Sequence, residues 1–173
     1  QPSSPLARGA ITRDDGGTTA RGGAMESDFT AYLERVRSHR GELGEAMAAL
    51  TAALEAPADS THWRRRVRAA LTELAHDVRT HVELTEAPGG LYDEMRAREP
   101  RLAGGIAGQL TDHAHLLAEV DRLLDDRDGG QAALDAEGHR EAVTALLTRL
   151  VRHRARGARL VHEAYDVDLG GSG

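Results

Sequence analysis

The chain has 173 residues, enough for one domain with its own core, and it is rich in Ala, Leu, Arg and Glu with only 3% aromatic residues. These residues lose little side-chain freedom in a helix, so the composition predicts an all-α fold. The net charge of −6 disfavours a nucleic-acid partner, and the lack of cysteine excludes disulfides and thiolate metal sites. No apolar run reaches the roughly 18 residues of a membrane span, and no signal peptide is recognised. We therefore expect a cytoplasmic protein without a membrane partner.

In chain order, residues 1–26 lack apolar periodicity and are rich in Gly, Ser, Thr and Pro, which predicts a disordered leader. Residues 27–166 are expected to form one domain, and residues 167–173 a flexible tail. Apolar residues recur at helical spacing in segments at about 28–56, 61–86, 100–124 and 134–165, with a short helical piece at 91–98. Four amphipathic helices with short connections predict an antiparallel, up-down-up-down four-helix bundle.

The apolar stripe of the third long helix is predicted to consist of Leu102, Ile106, Leu110, Leu117, Val120 and Leu124. The stripes of the other three helices are built in the same way from Leu, Val and a few larger residues. Because these stripes must pack against one another, the residues that interrupt them are the candidates for a function.

Four of the nine histidines interrupt or continue these stripes, one on each long helix: His39, His81, His113 and His153. Burying an imidazole without a hydrogen-bond partner costs on the order of 1–3 kcal/mol. Four buried imidazoles would repeat this cost, unless a single bound group interacts with all four rings. A metal ion would do so, because imidazole suits iron, zinc, copper and nickel. The other histidines are expected to face water or to lie off the stripes: His62, His76, His115, His139 and His162.

Further motifs support the pattern of histidines. Glu86 follows His81, an Asp112-His113 pair precedes two leucines, and residues 84–92 read as an acidic helix end followed by a Pro-Gly-Gly turn. Together with a histidine on the first and last helices, these motifs resemble the hemerythrin-like domain, over roughly residues 28–165, in a divergent bacterial form. The resemblance implies a four-helix bundle with a non-haem di-iron centre, held by histidines and two bridging carboxylates. Members of the family bind dioxygen, sense oxygen or iron, or handle peroxide and nitric oxide.

The chain departs from the family pattern at three places. Thr85 occupies the position of the carboxylate expected four residues after the second helix's histidine, and Leu117 that of a further histidine of oxygen carriers. Gly157 or Ala158 occupies the position of an acid in the last helix. Fewer ligands are therefore present than a complete di-iron site requires.

Two functions from different classes remain open. The first is a non-haem iron protein that binds or reacts with dioxygen, peroxide or another small molecule, with an oxidase or peroxide-consuming activity if it is an enzyme. Its predicted metal ligands are His39, His81, Glu86, His113 and His153. The second is a metal-free four-helix bundle that acts as a binding or regulatory module. Sequence identifies no catalytic residue, substrate or oligomeric state.

Overall fold

The structure is a computed structural model that describes residues 17–57, 61–125 and 135–165. Within these ranges, all regular secondary structure is helical and no strand occurs. The helices are α1 (Gly17–Glu55), α2 (Thr61–Glu86), α3 (Leu91–Arg98), α4 (Ala103–Asp125) and α5 (Ala136–Tyr165), with a 3₁₀ turn at Pro100–Leu102. None of the helices in the described ranges is both long enough and apolar enough to cross a membrane. The all-α prediction is confirmed for this part of the chain.

The chain divides into two units, Gln1–Leu33 and Glu34–Gly173. In the first unit, the structure describes the backbone of α1 from Gly17 onward. Every side-chain contact discussed below lies within the second unit, which contains the remainder of α1 and all the other helices.

The first helix is longer than the sequence pattern predicts. It begins at Gly17 and not near Asp28, so residues 17–26 of the predicted leader are helical. Extending an existing helix adds one hydrogen bond for each residue fixed, which needs no apolar stripe. Residues 1–16 of the predicted leader and the predicted tail at 167–173 lie outside the described residues.

The second long helix and the short helix after it have the predicted bounds. The third long segment differs in its first turn, because Pro100 opens a 3₁₀ turn and the α-helix proper starts at Ala103. Proline has a fixed φ and no backbone N–H, so it is suited to the start of a helical segment. The last helix begins at Ala136, close to the predicted start near Leu134.

The core consists mainly of Leu and Val, as the low aromatic content predicts. Its buried residues come from all four long helices: Leu43, Met47, Leu50, Leu54, Trp63, Val67, Leu71, Leu74, Ala75, Val78, Leu116, Val120, Leu123, Val143, Leu146 and Leu150. Trp63 is fully buried, with the His139 ring nearly perpendicular to it and the guanidinium of Arg140 against it. Each helix therefore contributes a buried stripe to one shared core.

Arginine side chains connect α1 with α5 at two separate places. Arg40 and Arg154 each donate a hydrogen bond to the other's backbone carbonyl, at 3.4 and 3.1 Å. Arg140 donates to the carbonyls of Leu54 and Ala56 where α1 ends. The second contact satisfies carbonyl groups that a helix leaves without an intrahelical partner at its C-terminal end.

The buried stripe of α4 differs from the prediction at two leucines after His113. Leu116 and Leu123 are buried, whereas Leu117 and Leu124 are only partly buried. The prediction was therefore wrong at Leu117 and Leu124, each of which follows the buried leucine by one position, or about 100° around the helix, whereas Val120 is buried as predicted. The true spacing of three and four residues, from His113 to Leu116 and Val120, is the regular helical one.

A core substitution tests this packing. We expect Leu74→Ala to lower the free energy of unfolding by about 2–5 kcal/mol, because Leu74 is fully buried and its removal leaves a cavity. Val151→Ala is the control, since Val151 is 57% exposed and its replacement should change stability by less than about 0.5 kcal/mol. Equal effects in urea denaturation would contradict the assignment of the core.

Candidate metal centre

Three of the four predicted histidines meet between the helices. His81 of α2, His113 of α4 and His153 of α5 are buried, with 7%, 1% and 1% of their surfaces exposed. Nε2 of His153 lies 3.1 Å from Nε2 of His81 and 3.2 Å from Nε2 of His113. One ligand nitrogen of each ring lies within 4.8 Å of those of the other two, so these residues, the three-histidine group, can hold a metal ion.

Helical periodicity places each ring on the buried side of its helix. Each has a buried apolar residue three positions away on the same helix: Val78 before His81, Leu116 after His113 and Leu150 before His153. Residues three and four positions apart share a helix face, so the stripes that build the core also bring the rings together.

Carboxylates lie near the Nδ1 atoms of His113 and His153, which are the outer nitrogens of these rings because the Nε2 atoms face one another. Nδ1 of His113 donates a hydrogen bond to Oε1 of Glu86 at 2.6 Å. Nδ1 of His153 faces Oδ2 of Asp112 at 3.6 Å, longer than a hydrogen bond, and the same oxygen accepts a hydrogen bond from Arg156. An ionised carboxylate only accepts, so the hydrogen bond to Glu86 favours the tautomer of His113 with the proton on Nδ1 and the lone pair on Nε2. Nδ1 of His153 has no hydrogen-bond partner among the described residues, and the nearby charge of Asp112 favours the same tautomer there. A carboxylate behind the ring is also what orients the histidine ligands of metals.

With these tautomers, the lone pairs at Nε2 of His113 and His153 are 3.2 Å apart and face the same point. A proton on Nε2 of His81 can satisfy its 3.1 Å contact with His153, but it leaves the lone pair of His113 without a donor in this group. A metal ion bound to all three Nε2 atoms satisfies the three rings at once. The arrangement can therefore accommodate a cation at the centre of the group.

All three rings are held in the neutral form. Burial lowers the pKa of His81 well below its usual value, and the neighbouring His153 and His113 lower it further. For His113, burial lowers the pKa more than the hydrogen bond to Glu86 raises it. Burial and the charge of His113 lower the pKa of His153 to about 4, although Asp112 acts in the opposite direction. Since metals bind the deprotonated ring nitrogen, the group is in its ligand form at neutral pH.

Arg156 lowers the pKa of Asp112, the carboxylate beside His153. Burial by itself would raise the pKa of Asp112, but the hydrogen bond and charge of Arg156, together with His153, bring it below its ordinary value. Asp112 is therefore ionised at neutral pH and available as an acceptor behind His153.

The spacing of the nitrogens fits one transition-metal ion. With bonds of roughly 2.0–2.1 Å and tetrahedral angles, two imidazole nitrogens on one metal are about 3.3 Å apart. The distances of 3.1 and 3.2 Å to His153 Nε2 are close to that value. Imidazole ligands suit zinc, copper, nickel and iron, and the identity of the ion is not specified by the ligands alone.

His39 lies beside the three-histidine group and not within it. The ring is buried, and its centroid is 6.1 Å from that of His81. Its Nε2 donates to the carbonyl of Asp77 at 2.9 Å, and its Nδ1 lies 3.2 Å from Oε2 of Glu42. Both nitrogens already face oxygen atoms, so in this arrangement the ring directs no lone pair to the centre of the group.

Glu86 contacts the three-histidine group at Nδ1 of His113, on the side away from the Nε2 atoms. It is the last residue of α2, its side chain is 35% exposed, and it contacts the outer nitrogen of His113. Thr85, one position earlier, is buried, and its hydroxyl donates to the carbonyl of His81 at 2.8 Å. One residue turns a side chain by about 100° around a helix, which explains why Glu86 points past the inner nitrogens.

The other five histidines lie outside the group. Four are exposed: His62, His76, His115 and His162. His139, which was predicted to face water, is buried with 7% of its surface exposed, and its ring is nearly perpendicular to that of Trp63. It precedes Val143 by four residues and so lies on the buried stripe of α5, which the prediction began too late.

Three residues of this region had no assigned role in the sequence analysis. Asp112 directly precedes His113, and only the packing of α4 against α5 turns it toward His153. Gln109 is 1% exposed and lies one turn before His113, so a polar residue on an apolar stripe was a usable signal. Arg40 is 7% exposed, and nothing local distinguishes it from the other arginines of the chain.

Comparison of the chain with models of protein families, with curated proteins and with solved structures finds no match. The resemblance to hemerythrin-like domains thus stays a prediction from sequence motifs.

Proposed function

We propose that this chain is a metal-binding helical protein that holds one first-row transition-metal ion through Nε2 of His81, His113 and His153. The convergence of three buried, neutral imidazoles on one point carries the proposal. Glu86 holds His113 in the metal-binding tautomer through a hydrogen bond to Nδ1, and the negative charge of Asp112, 3.6 Å from Nδ1 of His153, favours the same tautomer of that ring.

We also propose that the chain is a diverged hemerythrin-like protein and that its metal is iron. The sequence motifs support the family, and the helix contacts support its antiparallel bundle, because Arg40 pairs with Arg154 whereas Leu54, later in α1, pairs with the earlier Arg140. Among the described residues, the metal-binding group contains three histidines and no carboxylate. This ligand set favours one iron ion over the di-iron centre that the resemblance implies.

Three protein ligands leave coordination positions open for a small molecule such as dioxygen or peroxide. Bound iron would supply redox or Lewis-acid chemistry at those positions. The protein's own contribution is to keep three rings neutral, to orient two of them with carboxylates and to bury the centre away from bulk water.

A metal-free module is the second candidate. The distances of 3.1 and 3.2 Å between ring nitrogens are also those of hydrogen bonds, so the three rings can contact each other directly. In that case the group would be a buried polar network that specifies how α2, α4 and α5 pack.

Metal analysis distinguishes the two candidates. The full chain should be produced without a histidine tag in iron-supplemented medium, and its metal content measured by elemental analysis and absorbance. We expect about one iron ion per chain, with the metal-free protein rebinding one equivalent of Fe(II), Co(II) or Zn(II). A folded protein that binds none of these ions at micromolar concentration would refute the metal site. One equivalent of a metal other than iron would refute only the choice of iron.

The carboxylate behind His113 gives a further test. We expect Glu86→Gln to weaken metal binding by about 10–100-fold. The neutral amide replaces the negatively charged carboxylate that accepts the hydrogen bond from Nδ1 of His113. Glu83→Gln is the matched control, since Glu83 is an exposed acid on the same helix. Both affinities are measured by competition with a chromogenic chelator. Equal weakening in the two variants would mean that overall charge, and not the contact with His113, is responsible.

A further inference from the structure

A small cavity adjoins two rings of the three-histidine group. It is lined by His81 and His153, and by Arg40, Gln109 and Gly157, among others. Its volume is about 10 Å³, measured as the space open to the centre of a water molecule. A cavity of this size holds about one water molecule. Any ligand that shares this space with the metal must therefore be very small.

Gln109 lines this cavity, and its side-chain oxygen is a buried acceptor. The side chain is 1% exposed, and its Nε2 donates to the carbonyl of His153 at 3.2 Å, which fixes which end of the amide is the oxygen. Among the described residues, Oε1 has no hydrogen-bond partner although it is buried. A buried acceptor without a donor is unfavourable, so this oxygen indicates a ligand that carries a hydrogen.

Arg40 places a positive charge in the same wall. Arg40 is 7% exposed and is one of the residues that line the cavity, and its Nη1 would lie 3.8 Å from a Cβ atom at Gly157 in the same wall. A guanidinium only donates hydrogen bonds, so it favours a ligand with a lone pair or a negative charge. The ligand must therefore accept from one side, donate to Gln109 on another and occupy the volume of one water molecule.

We propose that a solvent-derived ligand, water or hydroxide, occupies this cavity, coordinates the metal beside His81 and His153 and donates a hydrogen bond to Oε1 of Gln109. This inference rests on the proposed metal site. Atomic anions such as chloride lack the hydrogen that Gln109 requires, and carboxylates of metabolites exceed the space. Gln109 is thus a positioning residue for the exchangeable ligand, and only molecules of similar size can replace that ligand.

Gly157 keeps the cavity open. A Cβ atom at this position would lie 2.7 Å from Nε2 of Gln109 and 3.8 Å from Nη1 of Arg40. Gly157→Ala therefore displaces the amide of Gln109 and reduces the space beside the metal. Gly108→Ala is the matched control, because a Cβ at Gly108 meets no atom within 4 Å.

Copper provides a spectroscopic test, since Cu(II) binds imidazole sites more tightly than the other divalent ions of the series. Electron paramagnetic resonance spectra of the Cu(II)-loaded full chain are recorded in ordinary water and in water enriched in ¹⁷O. We expect couplings from three nitrogens and a line broadening by ¹⁷O in the unchanged chain and in Gly108→Ala. The broadening should fall by half or more in Gly157→Ala and in Gln109→Leu, with one copper per chain in all four proteins.

The possible failures are distinct. Three-nitrogen couplings without ¹⁷O broadening, or equal broadening in all four proteins, would overturn the solvent ligand and leave the three-histidine site intact. A folded chain that binds no stoichiometric copper would overturn the metal site and this inference together. If Gly157→Ala fails to fold, Gln109→Leu provides the same comparison without a change at the close contact.

Discussion

Replacing His153 by alanine is expected to lower the affinity of the metal-free chain for Zn(II) or Fe(II) by more than about 100-fold, beyond the effect of changing a supporting residue. Nε2 of His153 lies 3.1 Å from Nε2 of His81 and 3.2 Å from Nε2 of His113. Removing it takes away the nitrogen that is close to both of the other ligands and leaves only two of the three. The double variant His81→Ala and His113→Ala should remove stoichiometric binding altogether. Titration against a chelator of known affinity measures both losses.

Two single variants serve as controls for this experiment. His115→Ala removes an exposed imidazole from α4 and should leave the affinity unchanged. His39→Ala removes a buried ring whose Nε2 is bound to the carbonyl of Asp77, so the affinity should remain within about 10-fold, as expected for a residue outside the ligand set. A loss as large as that of His153→Ala would show that His39 is a ligand. A similar loss in His115→Ala would show that binding is non-specific.

Acidification should destabilise the metal-free protein between pH 6.5 and about 4. An unperturbed histidine has a pKa of 6.5, whereas that of His153 in the folded chain is about 4. Below pH 6.5, the unfolded chain binds a proton that the folded chain does not, so the stabilising effect is present above 6.5 and is lost as the pH falls. The shift of His153 corresponds to about 3 kcal/mol over this range. The lowered pKa values of His81 and His113 act in the same direction.

Urea denaturation at several pH values in the presence of a chelator measures this dependence. His153→Gln should flatten the curve, because glutamine does not titrate, whereas the exposed His76→Gln should reproduce the original slope. Stability that stays constant or increases on going from pH 6.5 to 4.5 would contradict the burial of neutral rings.

Much of the fold could be predicted from periodicity. The bounds of α2 and α3 are as predicted, because each ends at a local signal: Glu86 precedes a Pro-Gly-Gly turn, and Arg98 lies just before Pro100. The start of α1 at Gly17 was not predictable in this way, since helix extension depends on hydrogen bonds along the backbone and not on an apolar stripe. The antiparallel order of the helices stays a prediction.

The candidate site was only partly predictable. Helical spacing indicated that His81, His113 and His153 face inward, and the structure brings them together. The same spacing also predicted that His39 is a metal ligand, but its Nε2 donates a hydrogen bond to the backbone carbonyl of Asp77. The choice among buried histidines depends on which groups approach from the neighbouring helices, and a sequence pattern does not contain that information.

The amino-acid sequence by itself determined that the described part of the chain is helical, where α2 and α3 end and most of the apolar face of each helix, because these properties depend on contacts and preferences within a few residues. Only the tertiary structure decided that three imidazoles share one point, that Glu86 and Asp112 lie behind them and that Gln109 faces a cavity. Those relations join residues far apart in the chain, and they follow from the rotation and depth at which the helices pack. A turn of about 100° for each residue is enough to move a carboxylate from the Nε2 side of these rings to the Nδ1 side.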